Sequence, residues 1–240
     1  MVDVSKSIED GGNLPIVKQA LLDVVLPYVD PSQGRPAENS NAALMTFTDE
    51  TDPLVPMASF DETEGAKAEW LNAVNEMATQ DRPAYIYDAV KDAHLMLAGL
   101  DEKTKTRRAN VIVLLTDGSD GGFKVIDPAS ATPCPDGMGA PGQVCSRTSD
   151  AGGNDAAYTP FDPADLDPCP AGLAVAPGRA CVESSSETTQ NELLRLLGTE
   201  DKVPNMLVHT IGFGQEADQT LLKLLAKAGK IEGRYVYADH

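Results

Sequence analysis

The stretch ANVIVLLTDGSDGG, residues 109–122, decides the fold class of this chain. Its centre, Val111–Leu115, is an unbroken apolar run of β-branched residues and leucine. Such a run is typical of a strand that is buried on both faces, as in a parallel sheet covered by helices. The run ends abruptly at Thr116-Asp117-Gly118, so the sequence predicts a carboxylate at the end of this strand.

Predicted strands and amphipathic helices alternate on both sides of this stretch. Apolar residues at helical spacing predict helices over Leu14–Val29, Glu64–Ala78, Ala84–Leu100, Ser185–Gly198 and Asp218–Gly229. Short apolar runs predict strands over Met1–Val4, Asn41–Thr48, Asn205–Gly214 and Gly233–Ala238. The alternation predicts one α/β domain over residues 1–240 with a mostly parallel sheet.

Residues 123–183 interrupt this alternation. The segment holds nine of the chain's 17 prolines and all four cysteines, and it has no sustained periodicity. Two similar loops in it, PCPDGMGAPGQVC and PCPAGLAVAPGRAC, each contain one cysteine pair. We therefore predict an irregular insertion that carries two disulfides, Cys134–Cys145 and Cys169–Cys181. A zinc site or free thiols are the alternatives, but zinc ligands are usually spaced more closely. Disulfides would indicate a location outside a reducing cytosol.

The composition narrows the classes of function. The chain is 42% hydrophobic and 23% charged, as in ordinary globular proteins. Its formal net charge of -18 disfavours nucleic acid as a partner, because such binding depends on Lys and Arg. No apolar run is long enough to predict a membrane span. The sequence also lacks the Gly-x-Ser-x-Gly elbow of hydrolases and a Gly-rich phosphate loop.

Hard oxygen groups follow two of the predicted strands. The element Asp3-x-Ser5-x-Ser7 begins at the end of the first strand, and Asp117 follows the apolar run described above. In an open α/β sheet, ligands bind at the carboxyl ends of strands, and alternate residues of an extended segment point the same way. Carboxylates and hydroxyls without nearby His or Cys suit Mg²⁺, Mn²⁺ or Ca²⁺. We expect a metal site here, with Ser119 or Asp120 in outer positions. Capping and turn chemistry is the alternative for the first element.

Together these motifs resemble the von Willebrand factor type A domain family. DVSKS is similar to the family's Asp-x-Ser-x-Ser element, and VIVLLTDGSDGG is similar to the strand with its second acidic residue. The resemblance implies an α/β, Rossmann-like, doubly wound sheet with helices on both faces. It also implies a metal-ion-dependent adhesion site for Mg²⁺, Mn²⁺ or Ca²⁺, made by Asp3, Ser5, Ser7 and Asp117. An open position on the metal would accept an acidic side chain of a protein partner.

The sequence departs from the family pattern in three places. The family's threonine ligand corresponds to Ala84, which has no hydroxyl, and Thr79, Asp81 or Tyr85 could substitute for it only if the loop shifts. The first strand is shorter than usual, and the family's last helix does not follow the final strand. We therefore expect the domain to be truncated at both ends.

The sequence predicts a metal-dependent protein-binding module, not an enzyme, at the cell surface or outside the cell, with the periplasm as an alternative. A structural domain with a degenerate metal site is the first alternative function. The second is a Mg²⁺-dependent phosphohydrolase of the haloacid-dehalogenase type, with Asp3 as the nucleophile. In that class a second aspartate acts as the acid/base partner, and Ser5 stands at its position.

Overall fold

The computed structural model describes most of the chain. The described residues are 1–25, 41–59, 64–107, 109–117, 123–126, 128–133, 144–149, 155–161, 166, 178, 180–183, 187–198, 203–214 and 217–238. All structural statements below refer to these residues.

The described residues contain eleven strands and seven α-helices. The strands are β1 (Val2–Asp3), β2 (Asn41–Phe47), β3 (Thr51–Ser59), β4 (Asn110–Thr116), β5 (Phe123–Ile126), β6 (Thr132–Pro133), β7 (Val144–Ser149), β8 (Asp155–Phe161), β9 (Ala180–Glu183), β10 (Met206–Phe213) and β11 (Tyr235–Ala238). The helices are α1 (Lys6–Asp10), α2 (Leu14–Ala20, continued by a π-helical turn over Leu21–Val25), α3 (Glu64–Glu76), α4 (Ile86–Ala98), α5 (Glu102–Arg107), α6 (Glu187–Gly198) and α7 (Gln219–Ala228). None of these helices is both long and apolar enough to span a membrane.

Six strands form the central sheet, in the order β11-β10-β4-β1-β2-β3. Neighbouring strands are parallel except for β3, which pairs antiparallel with β2. Val2 pairs with Thr46 of β2 on one side and with Leu115 of β4 on the other. The strand order reverses between β1 and β4, which makes the crevice at their carboxyl ends the usual ligand position in such sheets. The predicted mostly parallel, Rossmann-like fold class is confirmed.

Helices cover both faces of this sheet, and alternate residues of β4 divide between the two cores. Ile112 and Leu114 pack against α4, α6 and α7 on one face. Leu115 belongs to the second core, which contains Val17 of α2 and Trp70 of α3. Burial on both faces is the reason why β4 is apolar from Ile112 to Leu115, whereas Val111 near its start is exposed.

Three described elements of the main domain were not predicted. Helix α1 is a short helix directly after β1. Helix α5 begins after Asp101, whose Oδ1 accepts a hydrogen bond from the Thr104 backbone N–H at 3.0 Å. Strand β3 contains Pro53 and Pro56, which usually argue against a strand. Because β3 is the outermost strand, its prolines interrupt no pairing on the solvent side.

The segment 123–183, expected to be irregular, contains five short strands in its described parts. Strands β5 and β9 pair antiparallel, and β6, β7 and β8 form a second small sheet. Strands this short leave little periodicity to recognise in a sequence rich in proline. Cys145 and Cys181 are fully buried, and each is disulfide-bonded. Their predicted partners, Cys134 and Cys169, lie outside the described residues, so the pairing stays a prediction.

Candidate metal centre

The predicted site residues meet at the carboxyl ends of β1 and β4. Asp3 is the last residue of β1, and Asp117 directly follows β4. The Ser7 hydroxyl donates to Asp117 Oδ1 at 2.8 Å, which joins residues 110 positions apart in the chain. Hydrogen bonds among the four predicted ligands therefore connect both strand ends. These four residues, called the oxygen cluster below, are Asp3, Ser5, Ser7 and Asp117.

The Asp-x-Ser-x-Ser element folds back on itself within this cluster. The Ser5 backbone N–H donates to Asp3 Oδ1 at 2.9 Å, and the Ser5 and Ser7 hydroxyls are 3.0 Å apart. Asp3, Ser5 and Asp117 are buried, and Ser7 is exposed. The cluster thus extends from the sheet interior at Asp3 to solvent at Ser7.

The electrostatics of the cluster are dominated by the burial of Asp3, whose exposed fraction is 0%. Burial raises the pKa of Asp3 from 3.8 to about 6. Hydrogen bonds from Ser5 and Thr116 oppose this rise, and the negative charge of Asp117 adds to it. A buried carboxylate that is costly to ionise is stabilised by a nearby cation, so the site's charge fits a metal ion.

Two polar residues complete the network and were not among the predicted ligands. The Thr116 hydroxyl donates to Asp3 Oδ2 at 2.5 Å, and the Asn13 side-chain amide donates to Asp117 Oδ2 at 2.9 Å. Thr116 could have been inferred because it precedes Asp117 at the end of an apolar strand. Asn13 gave no such signal, since an asparagine before a helix normally indicates an N-cap.

The loop with Ala84 borders the cluster but supplies no hydroxyl at that position. The loop is tied to the β1–α1 connection, because the Lys6 backbone N–H donates to the Arg82 carbonyl at 3.1 Å. Ala84 itself is buried and belongs to one of the two cores. Asp81, a suggested substitute ligand, instead forms an exposed ion pair with Lys6 at 2.8 Å.

The donor set fits a hard cation better than a soft one. It consists of carboxylate and hydroxyl oxygens, which Mg²⁺, Mn²⁺ and Ca²⁺ prefer. Among the described residues, no three or more His, Cys, Asp or Glu side chains group as metal ligands. Ser119 and Asp120, suggested for outer positions, lie outside the described residues.

Comparisons with known proteins agree with this architecture. The family model of the von Willebrand factor type A domain matches residues 1–134. Three similar solved structures are von Willebrand factor type A from Catenulispora acidiphila (TM-score 0.56, 12% identity), the PilB minor pilin from Streptococcus sanguinis (0.56, 17%) and the vWF domain of the type V pili tip protein Mfa5 from Porphyromonas gingivalis (0.55, 13%). At these identities the likeness is evidence of the fold alone. A search of curated proteins found no match.

The similarity spans nearly all of this chain but differing shares of the solved structures. Each of the three alignments covers 99% of this chain. They cover 37% of the Catenulispora acidiphila chain, 55% of the PilB minor pilin and 87% of the Mfa5 vWF domain. The shared part therefore includes the C-terminal elements beyond the residues that the family model matches.

Proposed function

Because the chain belongs to the von Willebrand factor type A domain family, we propose that it is a protein-binding module whose contact with its partner depends on a divalent cation. The cation would be held by the oxygen cluster, Asp3, Ser5, Ser7 and Asp117. The observation that carries the proposal is the 2.8 Å hydrogen bond from Ser7 to Asp117, which joins α1, the helix after β1, to the residue that follows β4. When bound, Mg²⁺, Mn²⁺ or Ca²⁺ would offer an open coordination position to an acidic side chain of the partner.

The chain's own residues support this function in two ways. Thr116 and the Ser5 backbone orient both oxygens of Asp3, so this buried carboxylate is held in one position. The exposed Ser7 leaves the outer side of the cluster accessible to a partner. The complete burial of Asp3 argues against the phosphohydrolase alternative, because a nucleophile needs an open path to the substrate.

The partner and location are proposed from charge and from the structural relatives. PilB is by its title a minor pilin, and Mfa5 is a pilus tip protein. For this chain we propose a location at the cell surface or outside the cell, with the periplasm as the alternative. The net charge of -18 supports a protein partner rather than nucleic acid. We further propose one domain over residues 1–240, with residues 123–183 as a disulfide-bearing insertion.

A structural domain with a degenerate site is the second candidate, and Ala84 is the observation that favours it. The family's threonine ligand would stand at this position, and a methyl group cannot coordinate a cation. Fewer protein ligands lower the affinity for hard cations. The two candidates differ in one measurable property, which is metal binding.

Removal of Asp117 tests the proposed function. We expect Mg²⁺ and Mn²⁺ to bind the wild type in calorimetric titrations, and Asp117→Ala to weaken binding by at least about 100-fold. The reason is that loss of a ligand should lower the metal affinity by more than the roughly 10- to 100-fold that is typical when a hydrogen-bond partner of a ligand is lost. Asp81→Ala is the matched control, since it removes a nearby exposed carboxylate, and it should bind as the wild type does. A wild type that releases no heat would leave the degenerate site as the better description.

Restoration of a hydroxyl at position 84 tests the role of the missing ligand. We expect Ala84→Thr to tighten Mg²⁺ binding by about tenfold, because one more oxygen ligand becomes available. Ala84→Val is the control, since valine adds a similar volume at this buried position without a hydroxyl. Equal affinities for the two variants would show that position 84 does not contribute to the site.

A further inference from the structure

The side chain of Asn13 is used in an unusual way for its position. Asn13 is the N-cap residue of α2, where an asparagine oxygen normally accepts a hydrogen bond from the first helical turn. Here the side chain makes no such capping bond. Its amide nitrogen instead donates to Asp117 Oδ2 at 2.9 Å. The most common structural explanation for an asparagine before a helix therefore does not account for this residue.

Two glycines, Gly11 and Gly214, lie next to the Asn13 amide. A Cβ atom at Gly11 would lie 2.6 Å from Asn13 Nδ2, too close for any real contact, and 3.2 Å from the Ser7 backbone oxygen, which is also tight. A Cβ at Gly214 would lie 3.7 Å from the same nitrogen. Asn13 is 7% exposed, so its amide cannot easily move into solvent. The absence of a side chain at position 11 is thus a condition for the bond to Asp117.

The bond leaves Asp117 held at both of its oxygens. Ser7 donates to Oδ1 and Asn13 donates to Oδ2. These two hydrogen bonds together fix the orientation of the Asp117 carboxylate. A neutral amide orients a carboxylate without bringing a positive charge of its own. A Lys or Arg at this position would instead neutralise Asp117 and oppose a cation electrostatically.

We propose that Asn13 is a positioning residue for Asp117, and that Gly11 keeps the space this role requires. The inference rests on the proposed function, because it assigns the residues that orient one ligand of the divalent cation. Ligating carboxylates are commonly held by such outer hydrogen bonds, and their loss lowers metal affinity. Both residues, Gly11 and Asn13, lie in the sequence DGGN directly before α2.

Mn²⁺ titration of four variants tests the proposal. Asn13→Ala and Gly11→Ala should each weaken Mn²⁺ binding about 10- to 100-fold and alter the electron paramagnetic resonance spectrum of the bound ion. Asn110→Ala is the first control, since Asn110 is also buried but bonds to the Lys105 and Pro204 carbonyls. Gly12→Ala is the second, because Gly12 has a positive φ but no atom near an added Cβ. Both controls should keep the wild-type affinity within about twofold, even where they lower thermal stability.

The double variant separates positioning from general destabilisation. If Gly11→Ala acts by displacing the Asn13 amide, it should weaken Mn²⁺ binding no further once Asn13 is already alanine. Additive losses, or wild-type affinity in Asn13→Ala, would overturn the positioning role while leaving the proposed function intact. A wild type that does not bind Mn²⁺ would overturn both.

Discussion

Replacing Asp3 with asparagine is expected to raise the free energy of unfolding of the metal-free protein by up to about 3 kcal/mol at pH 8. The folded-state pKa of Asp3, about 6, lies above its ordinary value of 3.8, so the folded protein binds the proton more tightly. The stability that this proton contributes is fully present below pH 3.8 and is lost as the pH rises through 6. Asparagine does not titrate, so the variant escapes this loss.

Urea unfolding in EDTA from pH 5 to pH 8 measures this effect while staying above the isoelectric point of about 4.4. Between pH 8 and pH 5 the difference between Asp3→Asn and the wild type should shrink by about 1.4 kcal/mol, because pH 5 is one unit below the folded-state pKa. Asp81→Asn, on an exposed carboxylate, should differ from the wild type by less than about 0.5 kcal/mol. A pH-independent difference for Asp3→Asn would contradict the burial of an ionised Asp3.

Added Mg²⁺ provides a second arm of the same experiment. A ligand that binds the folded state alone stabilises it by mass action. Under the proposed function, Mg²⁺ should stabilise the wild type at pH 8 and leave Asp3→Asn unchanged. That result would indicate that the bound cation offsets the free energy cost of burying an ionised Asp3.

Gly233→Ala is expected to destabilise the protein by about 3 kcal/mol or more. Gly233 lies between α7 and β11, where its backbone N–H donates to the Ala226 carbonyl at 2.9 Å and its Cα approaches the backbone of β10 closely. An added Cβ would collide with the Val208 carbonyl oxygen and would lie 2.7 Å from the Val208 carbonyl carbon. The obstacle is backbone of a central strand, so it cannot rotate away as a side chain would. Relief requires that β11 and α7 shift relative to β10.

Gly198→Ala is the matched control for this substitution. An added Cβ at Gly198, the last residue of α6, meets no atom within 4 Å. Its stability should stay within about 1 kcal/mol of the wild type, since alanine is also the better helix former. Chemical unfolding of both variants compares them directly. A small loss for Gly233→Ala would mean that the chain before β11 can move away from the Val208 backbone at little cost in stability.

The long amphipathic helices and the buried strands could be predicted because each carries its own periodic signal. Strand β4 and helices α4 and α7 lie within two residues of their predicted bounds. Strand β3 could not be predicted, since its two prolines are tolerated only at the sheet edge, and edge position depends on strand order. Helix α5 could not be predicted because the charged run DEKTKTRR, residues 101–108, follows Gly99, and such a sequence indicates the end of the preceding helix.

The candidate site likewise contains residues that local sequence patterns predict and residues that they do not. The Asp-x-Ser-x-Ser spacing and the carboxylate after β4 are local patterns, so the oxygen cluster could be predicted residue by residue. Asn13 could not, because its local context predicts a cap, and its actual partner Asp117 is 104 residues away. The pKa of Asp3 also has no local signal, since it depends on burial by neighbouring strands.

The sequence by itself determined the fold class and the carboxylate and hydroxyl side chains that follow two neighbouring strands. Hydrophobic periodicity and residue spacing are properties of single segments, so they can be recognised without knowing which segments are neighbours in the fold. Only the tertiary structure decided that β1 lies between β2 and β4, which brings Asp3 within reach of Thr116 and Ser7 within reach of Asp117. It also decided that Asn13 orients Asp117 rather than capping α2, because hydrogen-bond partners and desolvation depend on which distant segments become adjacent.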